Sequence, residues 1–367
     1  MAKTPEDLER YFGAMEKMAA SDLHLKVGQP PIFRVGGVPK RIKEEILTAE
    51  DIKGMVWPGM NERSRTLFET KGGADFARWI SNGTRFRVSY FSQRGVPSMA
   101  ARRVNSVVPT IEDLRLPESV RKIAHYHDGL VLVVGATGSG KSSTLAALIN
   151  IINRNEQVHI LTIEDPVEFV YTDDKAFINQ REVGIDVPDF HTALRQGMRE
   201  DPDVILLGEM RDRETIEAAL ASAETGHLVF GTLHATNVIQ TIARILDFFE
   251  PSHQPGVRSV LSTVYRSCLA QRLVPCSRPG VARIPAIEIL FVNGVMRKYI
   301  AENEDIKIGE QIRRSAKDGM QDFNMSLYQL VKGNWVDEKV ALSYSSQPEQ
   351  LQMQLKGMVL NQDSQTV

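Results

Sequence analysis

The chain changes its rhythm of apolar and polar positions twice. In the stretch 85–91, Phe86, Val88 and Tyr90 alternate with Arg85, Arg87 and Ser89, the period of a strand with one buried face. Similar short alternations at 21–27, 32–35, 75–80 and 98–104, mixed with helical spacing near 5–20 and 48–70, predict a small α+β domain. From Leu130 the pattern becomes continuous apolar runs, Leu130-Val131-Leu132-Val133-Val134, Val204-Ile205-Leu206-Leu207 and Leu228-Val229-Phe230. Such runs alternating with helical segments read as a parallel α/β sheet buried on both faces. After Asn293 the pattern is helical only, with candidates at 293–301, 306–318, 322–332, 337–344 and 348–358. The expected organisation is an α/β protein: an N-terminal domain over 1–105, a linker over 106–120, an α/β core over 121–292, a helical region over 293–360, and a polar tail over 361–367 that should fray.

The most specific chemistry sits where the first apolar run ends. Gly135-Ala136-Thr137-Gly138-Ser139-Gly140-Lys141-Ser142 fits the phosphate-loop pattern, and Leu145, Leu148, Ile149 and Ile152 follow at helical spacing. A strand, a glycine loop and a helix N-terminus together place backbone N–H groups and a partial positive charge against phosphate oxygens. Lys141 adds a full charge for the β and γ phosphates of ATP, and the Ser142 hydroxyl is placed for Mg2+.

Three more strands end in reactive side chains. The run 159–163 leads into Glu164-Asp165-Pro166-Val167-Glu168, the run 204–207 into Gly208-Glu209, and 228–233 into His234. Ligands of an open parallel sheet bind beyond the carboxyl ends of its strands, so these residues should share the edge that carries the phosphate loop. Glu209 is the acid expected to hold Mg2+ through water. Glu168 or Glu164 is available to orient or deprotonate the attacking water, and His234 could sense the γ-phosphate. His227 precedes the strand that His234 follows, about 20 Å away at ~3.3 Å per residue, so the two cannot share a metal. It either meets another domain or subunit, or is a satisfied strand-end histidine.

Charge and cysteine content narrow the partners. A formal net charge of -2 leaves no global basic field for nucleic acid or anionic lipid. Cys268 and Cys276, the 2 cysteines of the chain, form neither a metal-ligand pattern nor a disulfide framework, which suits a reducing cytoplasm. No apolar run approaches the ~18 residues of a membrane span. One local exception is the hairpin over 85–103, where Arg85, Arg87, Arg94, Arg102 and Arg103 occur without an acid. One face should be core and the other an uncompensated cationic surface. A solvated face is one reading; arginine fingers reaching a triphosphate in a neighbouring subunit fit better than nucleic acid, because the aromatic residues fall on the opposite face.

Taken together, Ser21-Asp22-Leu23-His24-Leu25, Arg85-Phe86-Arg87-Val88, the phosphate loop, Ile163-Glu164-Asp165-Pro166-Val167-Glu168-Phe169, Gln180-Arg181-Glu182-Val183, Glu200-Asp201-Pro202-Asp203, Gly208-Glu209-Met210-Arg211-Asp212 and 224–234 resemble the type IV pilus retraction ATPases of the PilT kind, within the secretion-type AAA+ motors. That resemblance implies a homohexamer with a PAS-like N-terminal domain and a RecA-like P-loop NTPase domain. It implies a site at the cytoplasmic, inner-membrane base of a pilus, an inner-membrane platform protein as partner, a paralogous pilus ATPase as a further partner, and no nucleic acid. It assigns Glu168 as the catalytic glutamate, Glu209 as the atypical Walker B acid, Glu164 and Asp165 to the Asp box, His227 and His234 to the His box, and Arg87 and Arg102 as paired arginines directed at nucleotide. Two cysteines leave no room for the four-cysteine zinc module of assembly ATPases, so retraction is favoured over extension. Ala136 in the loop, and Val295-Met296-Arg297-Lys298-Tyr299-Ile300 where retraction enzymes usually write Ala-Ile-Arg-Asn-Leu-Ile, keep an accessory, PilU-like role open.

Overall fold

The structure is a computed structural model and describes residues 2–104 and 107–357. The chain divides into two compact units, Met1–Val107 with Val167–Val170, and Val108–Pro166 with Tyr171–Val367.

In the first unit, α1 (Pro5–Lys17) starts on a proline behind a Thr4/Asp7 capping box, a pairing that satisfies the free N–H groups of the first turn. It buries Leu8, Tyr11, Phe12 and Met15, one stripe of the helix. Then come β1 (Ala20–Lys26), β2 (Ile32–Val35), β3 (Val38–Arg41), α2 (Ala49–Val56), α3 (Glu62–Lys71), β4 (Gly73–Trp79), β5 (Arg85–Gln93) and β6 (Val96–Arg103). The strands form one antiparallel sheet in the order β3-β2-β1-β6-β5-β4. Its covered face is aromatic: Phe12 stacks on Phe86 at 4.1 Å and Phe68 on Tyr90 at 4.5 Å, in the offset geometry that ring quadrupoles favour. β3 escapes the sequence pattern because all of its residues are exposed, so it has no apolar face to alternate. The helical stretch expected over 48–70 is two helices, interrupted by a turn at Trp57–Gly59 where Pro58 cannot donate to a helical ladder.

The second unit contains β7 (Gly129–Val134), α4 (Lys141–Asn155), β8 (His159–Glu164), β9 (Phe177–Glu182), α5 (Phe190–Gly197), β10 (Val204–Leu207), α6 (Arg213–Glu224), β11 (Leu228–Leu233), α7 (Val238–Leu246), α8 (Gln254–Val264), β12 (Tyr265–Pro275) and β13 (Arg283–Phe291). The sheet order is β13-β12-β7-β11-β10-β8-β9. Every residue of β7, β8, β10 and β11 is buried, which is why apolar residues dominate them; the polar exceptions His159, Thr162, Glu164 and Thr232 are buried too. All neighbours are parallel except β12 and β13. The expected parallel sheet thus carries one antiparallel edge: the connection from Pro275 to Arg283 is shorter than the dozen or so residues a parallel crossover needs.

Helices α9 (Gly294–Ala301), α10 (Ile306–Arg314), α11 (Phe323–Lys332), α12 (Glu338–Tyr344) and α13 (Pro348–Leu355) complete the chain. The apolar spacing after Asn293 anticipates all five, although α10 stops before the short turn Ala316–Asp318 and left-handed Gly319. The segment expected as a linker over 106–120 is corrected from Ile111 onward, because Ile111, Leu116 and Val120 are buried in the second core. A Thr110/Asp113 pair of backbone–side-chain bonds fixes the turn that brings them there. Asn105 at the end of the expected N-terminal domain, Ser106 of that linker, the expected end of α13 at 358, and the tail over 361–367 lie outside the described residues.

Candidate functional site

The phosphate loop leaves the buried strand β7, exposes Ala136, Thr137 and Gly138, and re-enters at buried Ser139. Glycine is required at both ends. Gly135 has φ 151° and a Cβ there would collide with the Gln271 carbonyl oxygen. Gly140 caps α4 at φ 93°, and a Cβ would sit 2.7 Å from Gln271 Nε2. Gln271, on β12, therefore backs the loop, and its Oε1 accepts from Thr144 Oγ1 of α4 at 2.8 Å. The first helical bond of α4 runs from Thr144 N to the Gly140 carbonyl at 3.1 Å, so the N–H groups of Lys141, Ser142 and Ser143 lie ahead of the ladder at the positive end of the helix.

Lys141 bends back over the loop, with Nζ donating to the carbonyls of Gly135 at 3.0 Å and Ala136 at 3.2 Å. Burial pulls its ammonium below the usual lysine range, and the charge of Glu209 opposes that shift. The cation and that carboxylate thus act on one local field.

Strands β8, β10 and β11 bring their ends to the same edge, since β7, β11, β10 and β8 are consecutive parallel neighbours. Their linking loops are tied together: Gly208 N donates to the Ile163 carbonyl at 2.8 Å, Met210 N to the Thr232 carbonyl at 3.0 Å, and Thr232 Oγ1 to the Gly208 carbonyl at 2.5 Å. Glu209 is held on both oxygens. Arg211 Nη2 donates to Oε2 at 2.7 Å, and His234 Nε2 lies 2.9 Å from Oε1; a carboxylate only accepts, so that ring nitrogen carries the hydrogen. Burial pushes the Glu209 carboxyl up, but Arg211, His234 and Lys141 together hold it below the usual range. Arg211 also reaches Asp165, Nη1 to Oδ2, at 3.8 Å.

Glu164 is buried, and its Oε1 accepts from Thr162 Oγ1 at 2.7 Å and Gln180 Nε2 at 3.2 Å. Glu168 is exposed and lies in the short segment Val167–Val170 that belongs to the first unit. His227 stands at the opposite end of β11, its Nδ1 2.9 Å from the Ser222 carbonyl, as a satisfied strand-end histidine would.

Arg87 and Arg102 face each other across β5 and β6. The expected uncompensated cationic surface is corrected here: Asp22 on β1 is the register partner of Arg102 and accepts from its Nε at 2.8 Å. The hairpin contains no acid, but the sheet supplies one from a strand about 80 residues earlier in the chain. Sequence reasoning gave no role to Asp22, Arg211 or Gln271. The available signals are a charged residue inside a strand, a cation two places after Glu209, and a polar residue within the apolar run of β12.

The exposed Ser142 hydroxyl and the Glu209 carboxylate offer oxygen atoms that fit Mg2+, and the N–H groups of the first turn of α4 face the phosphate oxygens that would arrive with it. Among the described residues no cluster of three His, Cys, Asp or Glu could hold a metal without such help.

A buried, mainly parallel sheet with an interior strand that enters a glycine-built phosphate loop, flanked by an acid–histidine pair from neighbouring strand ends, defines a P-loop ATPase of the α/β class. Residues 84–332 match the Type II/IV secretion system protein family, and the chain belongs to it. The chain is 40% identical over 94% of its length to the type IV pilus retraction ATPase PilT of Pseudomonas aeruginosa, covering 99% of that protein. It is 37% identical over 95% of its length to the type IV pilus ATPase PilU of the same organism, covering 91% of it. A crystal structure of the pilus retraction motor PilT with bound ADP superposes with a TM-score of 0.87 at 40% identity, covering 94% of this chain and 98% of that one.

Proposed function

We infer that this protein is an ATP-hydrolysing motor that powers type IV pilus retraction. The observation that carries this reading is the meeting of Lys141, Glu209 and His234 on one sheet edge, in a chain that matches a retraction ATPase over nearly its whole length. Residues 135–142 bind the triphosphate. Mg2+, when bound, withdraws charge from the phosphoryl oxygens, and Ser142 and Glu209 would hold it, the latter through water. Glu168 orients a water molecule and takes its proton as the water oxygen bonds to the γ-phosphorus and the bond to the β,γ-bridging oxygen breaks. His234, hydrogen-bonded to Glu209, links the far side of that charge to β11.

Arg87 and Arg102 act on nucleotide held by a neighbouring copy in a homohexamer, where a guanidinium offsets charge on the transferring phosphoryl group. The ring works at the cytoplasmic face of the inner membrane against a pilus platform protein. No helix among the described residues is long and apolar enough to cross a membrane.

The test is twofold: ATP turnover of the purified protein, and pilus retraction in cells whose own copy is replaced by a Glu168→Gln chain. Retained retraction in those cells would overturn the motor reading. Ala136 in the loop and the PilU match favour a second reading, an accessory retraction ATPase. In cells lacking every paralogous pilus ATPase except the assembly enzyme, a self-sufficient motor still retracts pili, whereas an accessory one does not.

A further inference from the structure

The open face of the antiparallel sheet carries one continuous row of charge. Arg34 on β2 is the register partner of Asp22 on β1, Asp22 that of Arg102 on β6, and Arg102 that of Arg87 on β5. Directly opposed side chains in such a ladder sit about 5 Å apart at Cβ, so Arg102 and Arg87 repel, and the carboxylate of Asp22 is the row's one opposite charge. Asp22 is itself anchored, its side chain 11% exposed. Its Oδ2 accepts from Ser21 Oγ at 2.8 Å and faces Arg34 Nε at 3.6 Å.

The attachment to Arg102 is made at one point. Asp22 Oδ1 takes Nε at 2.8 Å while the Arg102 side chain remains 71% exposed. A bidentate carboxylate pair would consume at least one terminal nitrogen of the fork; a grip on Nε alone leaves both Nη groups free of that carboxylate. Among the described residues no other side chain takes them.

We propose that Asp22 is a positioning residue for Arg102: it fixes the guanidinium by Nε, against the repulsion of Arg87, so that the two Nη groups are presented to a phosphate. This rests on the reading of Arg102 as a nucleotide-directed arginine. Loss of the grip leaves Arg102 chemically intact but free to swing away from Arg87, so catalysis falls while nucleotide binding does not.

The experiment measures steady-state ATP hydrolysis by the full-length oligomer for Asp22→Asn, Asp22→Glu, Arg102→Ala and the double variant Asp22→Asn/Arg102→Ala. Asp22→Asn keeps size and hydrogen-bonding capacity but removes the charge. It should lower kcat about tenfold, the scale of one charge-assisted bond, with KM for ATP, oligomer size and melting temperature unchanged. Asp22→Glu should recover part of the loss, and the double variant should be no slower than Arg102→Ala alone. A double variant in which the two losses multiply overturns the proposal, as does a loss in Asp22→Asn that tracks a lowered melting temperature or a raised KM. If Arg102→Ala is inactive while Asp22→Asn is normal, the positioning role fails and the arginine reading survives. If Arg102→Ala hydrolyses ATP normally, both fail.

Discussion

The two sheets handle charge in opposite ways. In the mainly parallel sheet β7, β8, β10 and β11 are buried throughout, so in these four strands charged side chains stand only at the ends. There Glu209 is satisfied by Arg211 and His234 within a few residues of the strands. In the antiparallel sheet one face is open, and Arg34, Asp22, Arg102 and Arg87 form a row across four strands. The first arrangement gathers acids around a phosphate loop and balances them locally. The second leaves a cationic excess of three guanidiniums against one carboxylate, which an anion from outside the unit would complete. A buried sheet can bind only at its edge, whereas a half-covered one can present a surface.

The strongest way to break this contrast is to separate the two arrangements into different copies. Arg87→Ala or Arg102→Ala should lower turnover roughly a thousandfold, the scale of an arginine finger, while ATP affinity is kept. Mixing either with Lys141→Ala, whose loop lacks its full charge but whose arginines are intact, should restore part of the activity. Mixed oligomers that stay as inactive as their components would show that the charged row does not serve a neighbour's phosphate loop. Next in size, Glu168→Gln should reduce turnover by roughly two orders of magnitude with nucleotide binding retained, the usual scale for a general base. Near-normal hydrolysis would move that role to Glu164, already held by Thr162 and Gln180.

A smaller change should sharpen the electrostatics of the edge. Glu209 is held below the usual carboxylate range although burial opposes it, with Arg211 as the first of its charged partners. Its ionised form therefore persists to lower pH than a free glutamate's. Arg211→Ala should move the acid limb of the kcat/KM profile toward neutral, with a several-fold loss at pH 5 and a lesser one at pH 8. An unmoved acid limb would show that Arg211 does not set the charge of Glu209.

The smallest effect concerns stability. Glu288 of β13 is buried and caps α7 by accepting from Val238 N at 2.8 Å. Burial pushes its carboxyl up to about 7, against the lowering effect of that backbone bond. A raised acid favours the protonated fold, so its contribution is full below the unfolded value near 4.5 and is lost as pH rises through about 7. Glu288→Gln keeps the acceptor and removes the charge. It should raise the melting temperature by a few degrees at pH 8 and leave it nearly unchanged at pH 4. Equal shifts at both pH values would exclude titration as the cause.

Most of the second unit is legible in the chain because each of its signals is local. An apolar run, two obligatory glycines, a lysine and a serine specify the phosphate loop, and Glu209 and His234 follow buried strands by one or two places. β3 and the β12–β13 hairpin are less legible. The former has no buried face, and the latter takes its antiparallel sense from a short connection rather than from its composition. The status of residues after Ile111 is also misread, since Thr110, Pro109 and Asp113 carry turn chemistry whether or not the apolar residues beside them reach a core.

The order of apolar residues along the chain specifies most of the elements, the phosphate loop, and the acids and histidine that strand ends deliver. The sequence also determined that five arginines lie in a hairpin without an acid. The neighbours of these groups come from the folded sheets: Gln271 behind the loop glycines, Arg211 on Glu209, and Asp22 beside Arg102 from another strand. The reason is physical. Periodicity and backbone conformation are fixed by residues a few places apart, but the partner of a charge is fixed by strand order and register, and these follow from the packing of whole sheets.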